Sequence, residues 1–247
     1  MDKSGTLYIV ATPIGNLQDI TLRAIEVLKK THIIACEDTR HTGNLLHKLF
    51  EQDYFEGTIE KPQYISYYEE NEMSKMPHII TILKNGQDVA LVSDAGTPTI
   101  SDPGFKLVRE CIAQGIKVES IPGPSSVLAA LTSSGLPTDK FLFIGYLPKK
   151  QGSRKNTLDI LKKSLSLDEK FHPTVILFEA PHRVAQLFEE LQTTFDDVEV
   201  VLCRELTKLH EKVQKEKLSV FLQTYEKVNP KGECVVLFNL HEQTNQE

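Results

Sequence analysis

Residues 89–104 read V-A-L-V-S-D-A-G-T-P-T-I-S-D-P-G, an apolar segment joined directly to a loop rich in glycine, hydroxyl and carboxyl groups. The apolar part has the length and composition of a buried strand. The loop contains Asp94 and Asp102, and its glycines would let a ligand approach the backbone closely. A helical pattern follows it. This order is typical of α/β proteins, whose ligands bind beyond the carboxyl ends of the strands.

The same alternation of apolar runs and amphipathic runs extends in both directions along the chain and predicts an α/β fold. The predicted strands are 7–11, 33–35, 64–66, 89–93, 118–121, 141–145, 174–178, 198–204 and 233–240. The predicted helices are 22–30, 42–50, 76–84, 103–113, 125–134, 155–163, 182–194 and 218–227. Thr21 and Asp102 are predicted as helix caps, with Pro103 in a first turn. The pattern restarts after the turn at 122–124, which predicts two α/β domains, 1–122 and 123–247.

Composition and charge limit the possible partners. With 40% hydrophobic and 25% charged residues, the chain has the composition of an ordinary globular protein. Its net charge of -6 argues against a surface that grips nucleic acid everywhere, so any RNA contact must be local. The segment 149–163 has six basic residues against the single acid Asp159, and it is either a solvated helix face or an RNA contact. Its basic residues are Lys149, Lys150, Arg154, Lys155, Lys162 and Lys163.

Several other classes of site and location find no support. No stretch approaches the roughly 20 apolar residues that cross a bilayer, and residues 1–5 lead directly into the first strand, so we expect a cytoplasmic protein without a membrane partner. The four cysteines lie far apart, which favours buried, reduced thiols over disulfides. No histidine spacing fits a zinc site, and we expect no metal.

Polar groups follow four more predicted strands. Residues 37–42, E-D-T-R-H-T, read as a helix start with Thr39 as cap, which leaves Arg40 and His41 able to face a ligand. The first loop, 11–17, lacks both the dinucleotide glycine pattern and the P-loop lysine. Charged residues also follow the strands that precede 179–183 and 204–208. A single charged residue after a strand is more often structural, but several charged residues at neighbouring strand ends favour a ligand-binding site.

Six motifs in a fixed order carry a resemblance to a known family. They are A-T-P-I-G-N-L (11–17), E-D-T-R-H-T (37–42), S-D-A-G-T-P-x-I-S-D-P-G (93–104), I-P-G-P-S (121–125), E-A-P-H-R (179–183) and R-E-L-T-K (204–208). Together they resemble the tetrapyrrole methylase fold family, and within it the enzymes that methylate a cytidine 2′-oxygen of bacterial 16S rRNA. The resemblance spans about residues 5 to 240. Thr99 stands where that family often has glycine.

The resemblance implies two α/β domains with S-adenosylmethionine in a cleft between them, a homodimer, and the small ribosomal subunit as partner. The residues that it assigns to the cofactor are Pro13, Ile14, Gly15, Asn16, Asp94, Ala95, Gly96, Thr97, Pro98, Ile100, Ser101, Pro122, Gly123, Pro124, Ser125, Ala180 and Pro181. Arg40, His41, Arg183, Glu205 and Lys208 would face the RNA, with Lys149, Lys150, Arg154 and Lys155 as the additional basic contact.

A methyl group on a sulfonium is already electrophilic, so the protein mainly has to align it and accept a proton. We expect Glu205 to be the base, with Lys208 and Arg40 holding phosphates. Two alternatives stay open. One is an enzyme of the same fold that methylates another acceptor, although tetrapyrrole methylases resemble G-x-G-P-G-D at the first loop. The other is a non-catalytic RNA- or ribosome-binding module with a vestigial pocket.

Overall fold

The computed structural model describes residues 4–51, 62–168, 171–225 and 230–240. The chain divides into two compact units, Met1–Ser125 and Ser126–Glu247. The boundary predicted after residue 122 falls in the turn that ends the first unit. No helix in the described ranges combines the length and the apolar character that a membrane span needs.

The first unit is built on a parallel five-stranded sheet. Its strands are β1 (Thr6–Val10), β2 (Ile33–Cys36), β3 (Gln63–Ser66), β4 (Val89–Val92) and β5 (Lys117–Ile121), in the order β3-β2-β4-β1-β5. Its helices are α1 (Leu22–Lys30), α2 (Thr39–Glu51), α3 (Glu72–Lys84) and α4 (Phe105–Ala113). Every residue of β2 and β4 is buried, because both faces of the sheet are covered.

Alternation along β2 explains the two-sided core of this unit. Ile33 and Ala35 belong to one hydrophobic cluster, which includes residues of α3 and α4. Ile34 and Cys36 belong to a second cluster, which includes residues of α1 and α2. Successive side chains of a strand point to opposite faces, so a continuous apolar run is what a strand covered on both faces requires.

The second unit has a mixed sheet. Its strands are β6 (Phe141–Tyr146), β7 (Thr174–Glu179), β8 (Glu199–Arg204), β9 (Lys212–Lys217) and β10 (Cys234–Phe238), in the order β6-β7-β10-β8-β9. Only β6 and β7 pair in parallel, and the other neighbours are antiparallel. Its helices are α5 (Ser126–Ser133), α6 (Gln151–Leu165), α7 (Val184–Phe195) and α8 (Leu218–Tyr225). The α/β fold predicted from the sequence is confirmed.

The sequence pattern missed one strand and shortened three helices. Strand β9 reads K-V-Q-K-E-K, a charged edge strand whose polar character hides it from a hydrophobic pattern. Helices α2, α3 and α6 begin at Thr39, Glu72 and Gln151, each about a turn earlier than predicted, because their first turns carry polar residues. The predicted end of the last helix, 226–227, lies outside the described residues. All four cysteines are free and buried, as predicted.

Candidate functional site

Three loops meet at the carboxyl ends of the adjacent strands β4, β1 and β5. Thr12 and Gly96 exchange two backbone hydrogen bonds, of 2.9 and 3.1 Å, which join the first loop to the second. The Thr97 hydroxyl donates to the carbonyl oxygen of Pro124 at 3.0 Å, which joins the second loop to the third. In the order β3-β2-β4-β1-β5, the chain passes from β1 to β2 in one direction and from β4 to β5 in the opposite direction, so the adjacent strands β4 and β1 form a topological switch point. Such a strand-end crevice is where open α/β sheets bind ligands.

Glycines allow this close approach at two positions. A Cβ on Gly123 would lie 3.0 Å from Cβ of Ala11, on the first loop. Gly96 has a φ of 81°, and a Cβ there would lie 3.3 Å from Cγ2 of Ile14. A larger residue at either position would push the loops apart, so the small side chains fix the shape of the crevice.

The second loop is strained as well as tight. Thr99 has a φ of 74° and Ser101 a φ of 61°, which are left-handed values that side chains other than glycine seldom adopt. The conformation gives a physical reason for the glycine that the resemblance implies at position 99.

The predicted helix start in this loop is wrong. Helix α4 begins at Phe105, and Gly104 with a φ of 124° occupies its N-cap position, so Asp102 is not a cap and Pro103 is not in the first turn. The Asp102 carboxyl group is instead partly buried and hydrogen-bonded to Ser93. Burial raises its pKa, with a further rise from Asp94, and the hydrogen bond from Ser93 only partly offsets this.

Asp38 caps helix α2, where the sequence predicts Thr39. The Asp38 Oδ1 atom accepts the backbone N–H groups of Arg40, at 2.8 Å, and His41, at 3.3 Å, because α2 begins one residue earlier than a Thr39 cap requires. The backbone N–H of Asp38 donates to Asp94 Oδ1 at 3.2 Å, which ties this helix start to the second loop. Arg40 pairs with Asp38 at 3.3 Å and is 89% exposed, and His41 is also exposed.

A cavity of about 670 Å³ opens beside these loops within the first unit. Its charged lining is acidic except for Lys106: Glu37, Asp38, Glu69, Glu70, Glu72, Asp94 and Asp102. Burial raises the pKa of Glu37, and the nearby charges of Asp94, Asp102 and Glu70 raise it further. Such a surface attracts a cationic group and repels phosphates. Within the described residues, no set of three or more ligating side chains is arranged to hold a metal ion.

In the second unit, Glu205 follows β8 in a left-handed conformation, with a φ of 50°. Its Oε1 atom accepts the backbone N–H of Glu233 at 3.0 Å and Nζ of Lys208 at 3.1 Å. Burial works to raise the Glu205 pKa, but these hydrogen bonds and the Lys208 charge outweigh it and lower the pKa. A carboxylate held in this way is a weak proton acceptor. The catalytic role of Glu205 stays a prediction, and its surroundings weigh against it.

Arg154 is not a surface contact, and the prediction that it touches RNA is wrong. Its side chain is 0% exposed, because it points inward from α6 to Glu179 at the end of β7 and Glu190 on α7. The run of basic residues in the sequence does not show that Arg154 is buried while the lysines around it are exposed. Lys149, Lys150 and Lys155 are exposed, as a nucleic-acid contact requires.

The remaining predicted residues of this unit lie in the turn after β7. Ala180 and Pro181 are partly buried, and Arg183 is paired with Glu179 at 3.4 Å. Sequence reasoning missed Glu179, Glu190 and the acids at 69–72 as parts of these arrangements. The signal in the sequence was that Glu179 is the first residue of E-A-P-H-R.

The comparisons with known proteins agree with these motifs. The family model for tetrapyrrole (corrin/porphyrin) methylases matches residues 6–221. A protein of Thermotoga maritima named ribosomal RNA small subunit methyltransferase I is 40% identical over 95% of this chain and 98% of its own length. A protein of the same name from Synechocystis is 45% identical over 94% of this chain and 78% of its own length.

Solved structures show the same fold at low sequence identity. The methyltransferase CobJ has a TM-score of 0.68 at 16% identity and covers 96% of this chain and 95% of its own. Uroporphyrin-III C-methyltransferase from Thermus thermophilus, complexed with S-adenosyl homocysteine, has a TM-score of 0.62 at 18% identity, covering 97% and 100%. These matches confirm the resemblance that the six motifs carry. The chain belongs to the tetrapyrrole (corrin/porphyrin) methylase family and, within it, to the ribosomal RNA small subunit methyltransferase I family.

Proposed function

We propose that this protein transfers the methyl group of S-adenosylmethionine to the 2′-oxygen of a cytidine ribose in 16S rRNA of the small ribosomal subunit. The observation that carries the proposal is the junction of three loops at the ends of β4, β1 and β5, in a chain 40% identical to a relative named for small-subunit rRNA methylation. The nucleoside and the oxygen come from the motif resemblance alone.

The loops of the first unit fit the cofactor in shape and in charge. Gly96 and Gly123 leave a cradle that a Cβ would fill, so a flat group can lie against the backbone. The acidic cavity next to them suits the positive charge of S-adenosylmethionine, which supplies an electrophilic methyl group when bound. The proposed contacts are residues 13–16, 94–98, 100, 101 and 122–125, with 180 and 181 assigned by resemblance.

The protein's own chemical task is to align the ribose oxygen and take its proton. A carboxylate accepts a proton best when its pKa lies close to the working pH. Burial raises the pKa values of Asp102 and Glu37, whereas that of Glu205 is lowered. Asp102 and Glu37 also line the cavity beside the second loop, so we favour Asp102 as the proton acceptor, with Glu37 as its neighbour, over the predicted Glu205.

RNA contact is proposed for exposed basic groups only. Lys149, Lys150 and Lys155 lie at and just inside the start of α6, and Arg40 and His41 lie at the start of α2. Contacts of this kind neutralise phosphates and position the RNA without reading its sequence. Replacing Lys149, Lys150 and Lys155 together by glutamine should weaken subunit binding and flatten its dependence on salt, in a filter-binding titration. An unchanged salt dependence would remove these residues from the interface.

The resemblance also implies a homodimer in the cytoplasm, and we include both in the proposal. Light scattering on the purified protein tests the first: a mass twice that of one chain is the expected result. Cell fractionation tests the second, with the protein expected in the soluble fraction.

The deciding experiment is methyl transfer from labelled S-adenosylmethionine to purified 30S subunits that lack the modification, followed by mass-spectrometric mapping. Label on a ribose 2′-oxygen of one 16S cytidine is the expected result. Cofactor binding without transfer would point to another acceptor for this fold. The absence of cofactor binding, with RNA binding intact, would favour a non-catalytic RNA-binding module.

A further inference from the structure

Glu179 divides its two carboxylate oxygens between two different tasks. Its Oε2 atom accepts a hydrogen bond from Nη1 of Arg154 at 3.1 Å. Its Oε1 atom accepts the backbone N–H of Ala180 at 3.0 Å and lies 3.4 Å from Nε of Arg183. One oxygen therefore faces the interior of the unit, and the other holds both ends of the turn at residues 180–183.

Arg154 is held in turn by Glu190. Its Nε atom donates to both Glu190 oxygens, at 3.0 and 2.7 Å, and its Nη2 atom lies 2.6 Å from Oε2. The Arg154 side chain is fully buried, and that of Glu179 is 1% exposed. Two arginines and two glutamates balance in charge, as buried ionic groups must. The network connects α6, α7 and the end of β7 to a single turn.

We propose that Arg154 is a positioning residue, which acts through Glu179 to fix the turn at residues 180–183 for cofactor binding. The inference rests on the proposed function in one respect only: that this turn contacts S-adenosylmethionine. The positioning itself follows from the hydrogen bonds within the second unit.

The geometry requires an arginine. A planar guanidinium presents several donors in a fixed fork, so it can serve Glu190 with one edge and Glu179 with another. A lysine at position 154 keeps the positive charge but offers a single ammonium group on a flexible chain. It cannot maintain both sets of contacts, and Glu179 loses its anchor while the buried charge balance is kept.

The test is hydrogen exchange at single backbone amides, measured by NMR on the full chain with Arg154→Lys. The Ala180 amide should exchange on the order of tenfold faster than in the wild type, since its hydrogen bond to the charged Glu179 is weakened. The Arg183 amide donates to the carbonyl oxygen of Ala180 at 2.9 Å, so it should also exchange faster when the turn loosens. Gln186→Ala is the matched control: Gln186 donates to Glu190 at 3.0 Å, at the far side of the network from Glu179. It should leave both amides unchanged.

Kinetics on the same variants separates positioning from a general loss of stability. Arg154→Lys should raise KM for S-adenosylmethionine on the order of tenfold and leave kcat within about threefold, because the turn and not the chemistry is disturbed. A fall in kcat at constant KM would overturn the positioning role. If Arg154→Lys does not fold, Glu179→Gln provides the same two readouts.

Different experimental results would overturn this inference and the proposed function. Unchanged exchange at Ala180 and Arg183 in Arg154→Lys overturns the inference, whether or not the protein methylates RNA. Faster exchange at both amides supports the positioning, even in a protein that shows no methyl transfer to 30S subunits.

Discussion

Two loop carboxylates of the first unit differ from two of the second in their charged partners. In the first unit, Glu37 and Asp102 are partly buried with raised pKa values, and among the described residues neither forms an ion pair. In the second unit, Glu179 and Glu205 follow or end a strand in the same manner, yet each is paired with a basic side chain. Within the described part of the chain, carboxylates at strand ends or in the loops after them thus have a basic partner in one unit and, at Glu37 and Asp102, none in the other.

This difference has a functional meaning. A partly buried carboxylate without a cationic partner has a cost to the fold, and such cost is typical of groups that act on a ligand. A paired carboxylate instead stabilises the loop that carries it. We therefore expect the first unit to provide the chemistry, and the paired carboxylates of the second unit to stabilise that unit's own loops.

The sharpest test of the comparison is the loss of one carboxylate from each unit. Asp102→Asn should lower kcat for methyl transfer on the order of a thousandfold, the scale of general-base catalysis. Glu205→Gln is the matched variant and should lower it by less than about tenfold. Single-turnover rates on cofactor-saturated enzyme measure both. Equal losses would contradict the assignment of the base to the first unit.

The pH dependence of kcat tests the same assignment of Asp102 as the base. Only the deprotonated Asp102 accepts a proton, so wild-type kcat should fall as the pH decreases through its raised pKa.

The folded state also binds this proton more tightly than the unfolded chain, so burial of Asp102 costs stability once the pH exceeds the folded pKa. Asp102→Asn should therefore raise Tm by a few degrees at neutral pH and lose that advantage in acid.

The second prediction concerns the loop junction. Gly96→Ala should lower kcat/KM on the order of a hundredfold, because a small displacement of aligned groups has an effect of that scale. Gly115→Ala is the control, with a comparable φ of 68° but no atoms within 4 Å of the added Cβ. It should stay close to the wild type in activity. Similar losses in both variants would show that backbone strain, not the junction, is responsible.

Much of this junction could be predicted from the sequence. Loops 11–17 and 93–104 follow apolar runs, and loop 121–125 follows the short strand predicted at 118–121, so their placement at strand ends follows from the pattern. What could not be predicted is which side chains turn inward. Arg154 stands in a run of lysines, and only the tertiary structure brings Glu179 and Glu190 around it. Asp102 reads as a helix cap because the left-handed backbone at Gly104 cannot be seen in the sequence.

The third prediction tests the paired carboxylates of the second unit. Lys208 Nζ lies 3.1 Å from both Glu205 and Glu233, so Lys208→Met should lower the unfolding free energy by about 1 kcal/mol at neutral pH. Glu205 has a lowered folded pKa, so its contribution is present above the unfolded pKa and is lost as the pH falls through the folded value. Urea denaturation at neutral and acid pH measures this.

The exposed pair Lys117–Glu119 provides the control for Lys208. Its atoms lie 2.6 Å apart, but the lysine side chain is 65% exposed, so Lys117→Met should leave the unfolding free energy unchanged within the error of the measurement. An equally large loss at Lys117 would mean that the Lys208 contacts are ordinary surface pairs.

The smallest expected effect is at the strained threonines, one in each unit. Thr99 and Thr207 have φ values of 74° and 65°. Glycine at either site should relieve about 1 kcal/mol of strain and lose a similar amount through greater freedom of the unfolded chain, so Tm should barely change. Ala129→Gly, within α5, should cost about 1 kcal/mol in thermal unfolding. A comparable loss at Thr99 would mean that its conformation is not strained.

The most direct test of the central claim is a crystal structure of this protein with S-adenosylhomocysteine. We expect the ligand to contact the loops after β1, β4 and β5 and to lie against the protein backbone at Gly96 and Gly123. A ligand bound away from these three loops would contradict the assignment of the chemistry to the first unit.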